Sequence, residues 1–165
     1  MKLLEIVKGD ASAPTALASG FRLAKQLGKI PVVAGVCDGF IGNRILVRYR
    51  EAADLLLLYG ATPAQIDKAM TGFGYAMGPY EAQDMSGLDI TFANRRRQDA
   101  SRDPNRTYVR IADKMVEAGR LGRKTGLGWY SYANDGTAAT DPLVDALIIA
   151  EADHAGITRR HYSDD

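Results

Sequence analysis

Apolar positions near the start of the chain form two short runs, residues 3–7 and 30–34, which enclose a segment with apolar residues at helical spacing. Ser12 and Pro14 predict the start of this helix, as a cap and a first-turn proline. Gly28 predicts its end, because glycine accepts the left-handed conformation that follows many helices. Two apolar strands joined by such a helix indicate a parallel crossover, whose strands are buried on both faces. The rest of the chain offers no comparable strands, so the pattern predicts an incomplete sheet.

From Asp38 onward, the spacing of apolar residues becomes helical. Thr62-Pro63-Ala64-Gln65 has the sequence of a capping box with proline at the first helical position. Residues 121–132 are rich in glycine and aromatic side chains, which is typical of an extended turn. The predicted helices cover residues 40–59, 63–73, 81–92 and 106–118, with a last one that starts at Asp141-Pro142 and ends at Gly156. Residues 163–165 have the sequence of a helix cap and acidic first turn, with a disordered acidic tail as the alternative.

Composition narrows the class of protein and the kinds of partner. The chain has 165 residues, 46% of them hydrophobic and 25% charged, with a net charge of +1. These values are ordinary for a globular protein and predict no nucleic-acid surface, and the longest apolar run, residues 55–59, predicts no membrane span. Cys37 is the single cysteine, which excludes an internal disulfide and fits a reducing compartment such as the cytoplasm. Its apolar neighbours predict a buried, unreactive thiol.

Two stretches that contain glycine are superficially like nucleotide-binding loops. Residues 72–78 follow a predicted helix rather than a strand, and residues 122–125 lack the glycine that precedes the lysine of a phosphate loop. No cluster of cysteine, histidine and carboxylate residues predicts a metal site. His154 and His161 lie among charged residues, and residues 95–97 are consecutive arginines; both features predict solvated side chains.

Two polar residues are candidates for a functional site. Glu5 interrupts an apolar strand. It is either an exposed strand residue or a carboxylate near the carboxyl end of a parallel strand, where open α/β sheets bind their ligands. Asn43 lies in the first turns of the predicted helix 40–59, where its amide either joins a surface or helix–helix hydrogen bond or contacts a ligand. The residues alone leave both alternatives open.

Five short segments carry a likeness to a known family. They are residues 1–7 (MKLLEIV), 28–32 (GKIPV), 39–44 (GFIGNR), 76–79 (AMGP) and 122–130 (GRKTGLGWY). In this order, and covering nearly the whole chain, they resemble the 3-hydroxyacyl-CoA dehydrogenase family. Each motif is weakly specific alone, but the set is quite specific. Residues 84–89 and the extension past Tyr132 resemble the multifunctional fatty-acid oxidation enzymes in particular, whose dehydrogenase part carries two helical repeats.

The resemblance implies a chemistry and a role for both candidate residues. In this family a histidine takes the proton of the substrate 3-hydroxyl while hydride passes from C3 to NAD, and a glutamate one strand later holds and polarises the imidazole. Glu5 stands at the place of that glutamate, and Asn43 at the place of an asparagine near the acyl-CoA substrate. The histidine and the NAD loop are then expected on sequence before Met1. Asp38 stands where the family usually has a proline.

These observations give one interpretation of fold and function. The fold class is mainly α: a strand–helix–strand remnant of a Rossmann-like domain (1–37) precedes a helical C-terminal dehydrogenase domain (38–162) and the start of a truncated helix (163–165). The chain is interpreted as the C-terminal part of an NAD-dependent 3-hydroxyacyl-CoA dehydrogenase of fatty-acid β-oxidation, inactive alone. The expected partners are an acyl-CoA substrate and either a second copy or another domain of the same enzyme. The alternatives are a non-catalytic helical oligomerisation module and a monofunctional 3-hydroxybutyryl-CoA dehydrogenase, whose chain would stop soon after Tyr132.

Overall fold

The structure is a computed structural model that describes residues 2–163. The chain divides into two compact units, with the division between Tyr49 and Arg50. We call the part up to Tyr49 the first unit and the part from Arg50 the second unit. The helix start expected at 163–165 lies outside the described residues, except for Ser163.

The first unit contains the expected parallel crossover. Strand β1 (Leu3–Lys8) is followed by helix α1 (Pro14–Gln26) and strand β2 (Ile30–Gly35), and the two strands pair in parallel with Glu5 opposite Val32. A Cβ atom on Gly20 would lie 3.2 Å from Cγ2 of Ile6, so glycine at this position allows α1 to approach β1 closely. Gly28 follows α1 with a φ of 63°, which confirms its predicted role at the helix end.

The cap predicted for α1 is wrong by one residue. The N-cap is Ala13, whose side chain cannot accept a hydrogen bond, and Pro14 occupies the first helical position as expected. Ser12 lies one residue further out, where its hydroxyl accepts a hydrogen bond of 3.0 Å from the backbone N–H of Gly9. The serine therefore stabilises the turn before the helix rather than the helix itself.

Helix α2 (Gly42–Tyr59) begins in the first unit and ends in the second. The helices that follow are α3 (Pro63–Phe73), α4 (Pro79–Ser86), α5 (Leu88–Gln98), α6 (Ile111–Glu117) and α7 (Pro142–His154), with 3-10 turns at Asp99–Ser101 and Arg123–Thr125. A second sheet consists of the short antiparallel strands β3 (Ser131–Tyr132) and β4 (Ala138–Ala139). The prediction of a mainly helical chain after an initial strand–helix–strand unit is confirmed.

Local sequence signals account well for some helix ends and poorly for others. The capping box at Thr62 is present, because its hydroxyl accepts from the N–H of Gln65 and the Gln65 side chain accepts from the N–H of Thr62. The single helix predicted over 81–92 is instead the pair α4 and α5, since Gly87 has a φ of 92° and interrupts the helical path. The helix predicted over 106–118 begins only at Ile111.

The core of the second unit is centred on two aromatic rings. Trp129 and Tyr80 are almost fully buried, and their ring centroids lie 4.4 Å apart at a tilt of 54°. The remaining buried members of this core are Ala53, Leu57, Leu58, Ile66, Leu88, Val109, Ile111, Ala112, Met115, Tyr130, Val144, Ile148 and Ala152. Most helices of this unit and the 122–130 segment therefore share one hydrophobic core.

The end of the described chain returns to the turn between α2 and α3. The backbone N–H of Arg160 donates a hydrogen bond of 2.8 Å to the carbonyl of Tyr59. A Cβ atom on Gly60 would lie 1.9 Å from the carbonyl oxygen of Arg160, so only glycine permits this approach. The Gln65 side chain adds a hydrogen bond of 3.0 Å to the carbonyl of Tyr162. We refer to residues 157–162 as the C-terminal strap.

Candidate active site

The carboxylate of Glu5 lies at the first backbone N–H groups of α2. One oxygen, Oε1, accepts hydrogen bonds of 2.8 Å from the N–H of Ile41 and 2.8 Å from the N–H of Gly42. Both donors stand at the start of a helix, where N–H groups have no intrahelical partner. Glu5 is partly buried and belongs to β1. A strand residue therefore accepts the hydrogen bonds of N–H groups at the start of a helix that begins 37 residues later.

A tight turn brings the chain from β2 to this helix start. Gly39 has a φ of 73° and Phe40 a φ of 45°, and Phe40 is the only residue other than glycine with a positive φ among residues 2–163. The N–H of Phe40 donates to the carbonyl of Cys37, and the N–H of Arg44 donates to the carbonyl of Gly39. A side chain at position 39 would adopt a strained backbone and would lie 3.1 Å from Cβ of Asn43.

Asn43 is the second residue of α2 and is exposed. Within the described part of the chain, its side-chain amide has no hydrogen-bond partner. The carboxylate of Glu5 and the amide of Asn43 are thus both brought to the same end of α2, one held by the helix backbone and the other open to a ligand.

The thiol in the same turn differs from the prediction. Cys37 is exposed rather than buried, because β2 ends at Gly35 and Cys37 belongs to the turn that follows the strand. Its Sγ lies 3.6 Å from a guanidinium nitrogen of Arg44. The apolar neighbours in the sequence therefore gave a wrong prediction of burial for this residue.

The histidines and most of the arginine run are solvated as expected. His154, in the last turn of α7, and His161 are exposed, and both belong to the second unit. Arg96 is largely exposed, whereas Arg95 forms an ion pair with the buried carboxylate of Asp113 at 2.7 Å. The first unit, which contains Glu5, has no histidine in its sequence.

The glycine-rich segment 122–130 encloses a buried carboxylate. Asp84 is 1% exposed and accepts hydrogen bonds from the backbone N–H groups of Trp129 and Tyr130 and from the hydroxyl of Tyr132. A Cβ atom on Gly128 would lie 2.0 Å from the Asp84 carboxylate. Burial raises the pKa of Asp84 above its ordinary value, while these donors act in the opposite direction. The segment is therefore a structural clamp on Asp84 rather than a phosphate loop.

A second buried carboxylate was missed by sequence reasoning. Asp67 accepts hydrogen bonds from the N–H groups of Tyr80 and Glu81, at the start of α4, and from the hydroxyl of Tyr130. Burial raises the pKa of Asp67, and a Cβ atom on Gly78 would lie 2.2 Å from its carboxylate. The only signal in the sequence was the acidic residue directly after the apolar Ile66, which does not distinguish a buried carboxylate from an exposed one.

Other kinds of site are not found in the described chain. Among residues 2–163, no group of three or more His, Cys, Asp or Glu side chains is arranged to hold a metal ion. Over the same residues, no helix is both long and apolar enough to cross a membrane.

Comparisons with known proteins agree on one family. Residues 39–132 match the family described as 3-hydroxyacyl-CoA dehydrogenase, C-terminal domain. The peroxisomal bifunctional enzyme of Danio rerio is 41% identical over 99% of this chain, and the chain spans 25% of that protein's length. A bacterial relative, the fatty acid oxidation complex subunit alpha of Psychrobacter sp., is 40% identical over 91% of the chain, which spans 21% of its length.

A solved structure has the same fold over nearly the whole chain. The dehydrogenase part of multifunctional enzyme 1 from C. elegans superposes with a TM-score of 0.67 at 30% identity, covering 99% of this chain and 36% of that one. The family match includes the turn before α2, Asn43 and the clamp on Asp84. The chain therefore belongs to the 3-hydroxyacyl-CoA dehydrogenase family.

Proposed function

We propose that the chain is the C-terminal part of an NAD-dependent 3-hydroxyacyl-CoA dehydrogenase of fatty-acid β-oxidation, which oxidises 3-hydroxyacyl-CoA to 3-ketoacyl-CoA. The observation that carries the proposal is the shared location of the Glu5 carboxylate and the exposed Asn43 amide at the start of α2. The family match over residues 39–132 and the named β-oxidation relatives support it.

Glu5 acts on the base of this reaction. A histidine from outside the chain takes the proton of the substrate 3-hydroxyl as the hydrogen on C3 leaves as hydride and the C3–O double bond forms. The carboxylate of Glu5 holds the imidazole in the required tautomer and stabilises the imidazolium that results. Oε1 is occupied by two N–H donors, which leaves Oε2 for the imidazole.

Asn43 acts on the substrate. Its side-chain amide is exposed and carries both a donor and an acceptor, so it can bind the acyl-CoA thioester or hydroxyl region directly. Asn43 follows Gly42, whose backbone N–H binds the Glu5 carboxylate, in the first turn of α2.

NAD supplies the hydride acceptor in this family, but the described residues do not fit a dinucleotide site. Residues 9–13, which connect β1 to α1, contain a single glycine and lack the glycine-rich turn that binds the pyrophosphate of a dinucleotide. We therefore propose that NAD is bound mainly by residues outside this chain.

The proposed domain organisation follows from this assignment. Residues 1–37 are the end of the NAD-binding Rossmann-like domain, and residues 38–162 are the helical dehydrogenase domain. The relatives named as bifunctional or multifunctional favour a multifunctional parent over the monofunctional alternative. We propose the cytoplasm as the location, and the word peroxisomal in the animal relative's name makes the peroxisome the competing location.

Self-association is the second part of the proposal. Ile45, Leu46 and Val47, in the first half of α2, are all exposed, with Ile45 65% accessible. We propose that this part of α2 contributes to an interface with a second copy or with another domain of the enzyme, because contiguous exposed apolar surface often marks such an interface. A purely structural oligomerisation module would use the same surface, so association alone does not separate this alternative from the dehydrogenase.

Formation of NADH from 3-hydroxyacyl-CoA tests the function. The complete protein should form NADH, whereas the purified chain 1–165 should not exceed the rate without enzyme, because loss of a general base alone lowers the rate by about 10²–10⁴-fold. Clear turnover by the chain alone would reveal a base other than the implied histidine. No turnover by the complete protein with short, medium or long acyl chains would favour the structural module.

A further inference from the structure

The hydrogen bonds that Glu5 accepts have no part in its proposed action on the histidine. A carboxylate oxygen has two lone pairs, and both on Oε1 are used by the N–H groups of Ile41 and Gly42. Neither bond is needed to orient a histidine. Instead, they connect β1 to the first turn of a helix that follows it by more than thirty residues.

We propose that Glu5 is also a positioning residue for Asn43, through its contact with the start of α2. The inference rests on the proposed function, in which Asn43 binds substrate. In this proposal the two oxygens of the Glu5 carboxylate have separate tasks. Oε1 holds the start of α2 and thereby the side-chain amide of Asn43, while Oε2 orients the histidine base. The Glu5 side chain then positions both the histidine base and Asn43, the residue that binds substrate.

The surroundings of Asn43 explain why the helix start determines its position. The residue directly follows Gly42, whose N–H binds Glu5, and its side chain has no hydrogen-bond partner in the described residues. On the other side, the turn residue Gly39 lies so close that an added Cβ would be 3.1 Å from Cβ of Asn43. The placement of Asn43 therefore depends on the backbone of residues 39–42, which the Glu5 carboxylate holds.

Hydrogen exchange on chain 1–165 tests the contact without any assay of activity. Glu5→Ala removes both acceptors, whereas Glu5→Gln keeps one side-chain oxygen that can accept both bonds. Asp10→Ala, at an exposed position in the turn after β1, is the matched control. We expect Glu5→Ala to speed exchange of the Ile41 and Gly42 amides by about 5- to 30-fold, and Glu5→Gln and Asp10→Ala to leave it within about threefold of the unsubstituted chain.

The position of Asn43 is tested on the same samples by nuclear Overhauser effects. The close approach of Gly39 and Asn43 predicts a contact between the Gly39 Hα and Asn43 Hβ protons. This contact should persist in Glu5→Gln and weaken or disappear in Glu5→Ala. An unchanged contact, or unchanged amide exchange, in Glu5→Ala would overturn the proposal, provided that dispersed amide spectra show that the variant is folded. If Glu5→Ala does not fold, loss of the contact in the folded Glu5→Gln variant would overturn it instead.

Steady-state kinetics of the complete enzyme separate the two tasks. Glu5→Gln should lower kcat by roughly 10²-fold or more and leave the KM for 3-hydroxyacyl-CoA within about threefold, since only the base is affected. Glu5→Ala should lower kcat and also raise this KM by about tenfold. Equal changes of KM in the two variants would overturn the link to Asn43. An inactive parent enzyme would refute the proposed function, while the exchange and proton-contact results would still decide the structural link.

Discussion

The hydroxyl of Tyr130 donates a hydrogen bond of 2.7 Å to Oδ2 of Asp67, and the backbone N–H of the same tyrosine donates one of 3.0 Å to Oδ2 of Asp84. A single residue thus joins two buried carboxylates that belong to α3 and α4. The second unit is held together by this polar connection as well as by its hydrophobic core.

Asp67→Asn should destabilise the second unit by about 1–3 kcal/mol. Asparagine has one acceptor oxygen, so its amide nitrogen must face either the N–H of Tyr80 or the donors Glu81 N–H and Tyr130 hydroxyl. Urea unfolding followed by tryptophan fluorescence would measure the change, since Trp129 lies in the adjoining core. The exposed Asp153→Asn is the control and should change the free energy of unfolding by less than about 0.5 kcal/mol. Equal effects of the two substitutions would contradict the role given to Asp67.

Gly128→Ala and Gly72→Ala should have opposite effects on stability. The new Cβ at position 128 would lie 2.0 Å from the Asp84 carboxylate, so the clamp must open and the free energy of unfolding should fall by about 3 kcal/mol or more. Gly72 is within α3 and its added Cβ would meet no atom within 4 Å, so alanine there should stabilise by about 0.5–1 kcal/mol. Thermal unfolding of both variants checks the pair, and a neutral Gly128→Ala would refute the clamp.

Asp54→Asn should change the pH dependence of stability. Burial, partly offset by the charge of Arg95 and the hydrogen bond from Tyr80, raises the pKa of Asp54 from 3.8 to about 7. Because the folded-state pKa exceeds that of the unfolded chain, Asp54 favours folding below about pH 4 and this contribution is lost as pH rises towards 7.

Between pH 4 and pH 7, the free energy of unfolding of the unsubstituted chain should therefore fall relative to that of Asp54→Asn. Each unit of pKa shift can change the free energy of unfolding by at most about 1.4 kcal/mol. The Asp54 side chain is partly exposed, so the observed difference between the two proteins should be smaller than this bound. Denaturant titrations at several pH values give the curve, with Asp153→Asn as the reference for charge removal at an exposed site. A difference that stays constant over this range would show that Asp54 does not titrate there.

Ile45→Lys should weaken self-association of the chain. Ile45 is the most exposed of the apolar residues in the first half of α2, and a charge at an apolar interface typically weakens binding by about tenfold or more. Sedimentation equilibrium at micromolar concentration would compare it with Ile149→Lys, which alters an exposed apolar residue of α7. If the unsubstituted chain sediments as a single species of 17.9 kDa, the association proposal is wrong.

Short-range signals predicted the parts of the fold that short-range interactions determine. The capping box at Thr62, the first-turn proline of α1 and the glycine after α1 each act within five residues, and each was predicted correctly. The break at Gly87 was missed because the apolar spacing continues through it, although the backbone at this glycine does not.

The buried carboxylates could not be predicted in the same way. The partners of Asp84 lie 45 to 48 residues away and those of Asp67 as far as 63 residues away, and nothing next to either aspartate marks it as buried. For the candidate site, the sequence predicted Glu5 and Asn43 as candidates but not the hydrogen bonds from Ile41 and Gly42. Those donors are backbone N–H groups, which nearly every residue type has, so the sequence does not distinguish them.

The C-terminal strap has a consequence for the order in which the protein matures. The carbonyl of Tyr59 accepts its hydrogen bond from the N–H of Arg160, which is synthesised about 100 residues later. Gly60 has no side chain that could fill the space taken by the backbone of Arg160. At a typical rate of translation, about 5–20 residues per second, the partner emerges roughly 5–20 s after the helix that needs it. During that interval the hydrogen bonds between the strap and this turn, Arg160 to Tyr59 and Gln65 to Tyr162, cannot form on the nascent chain.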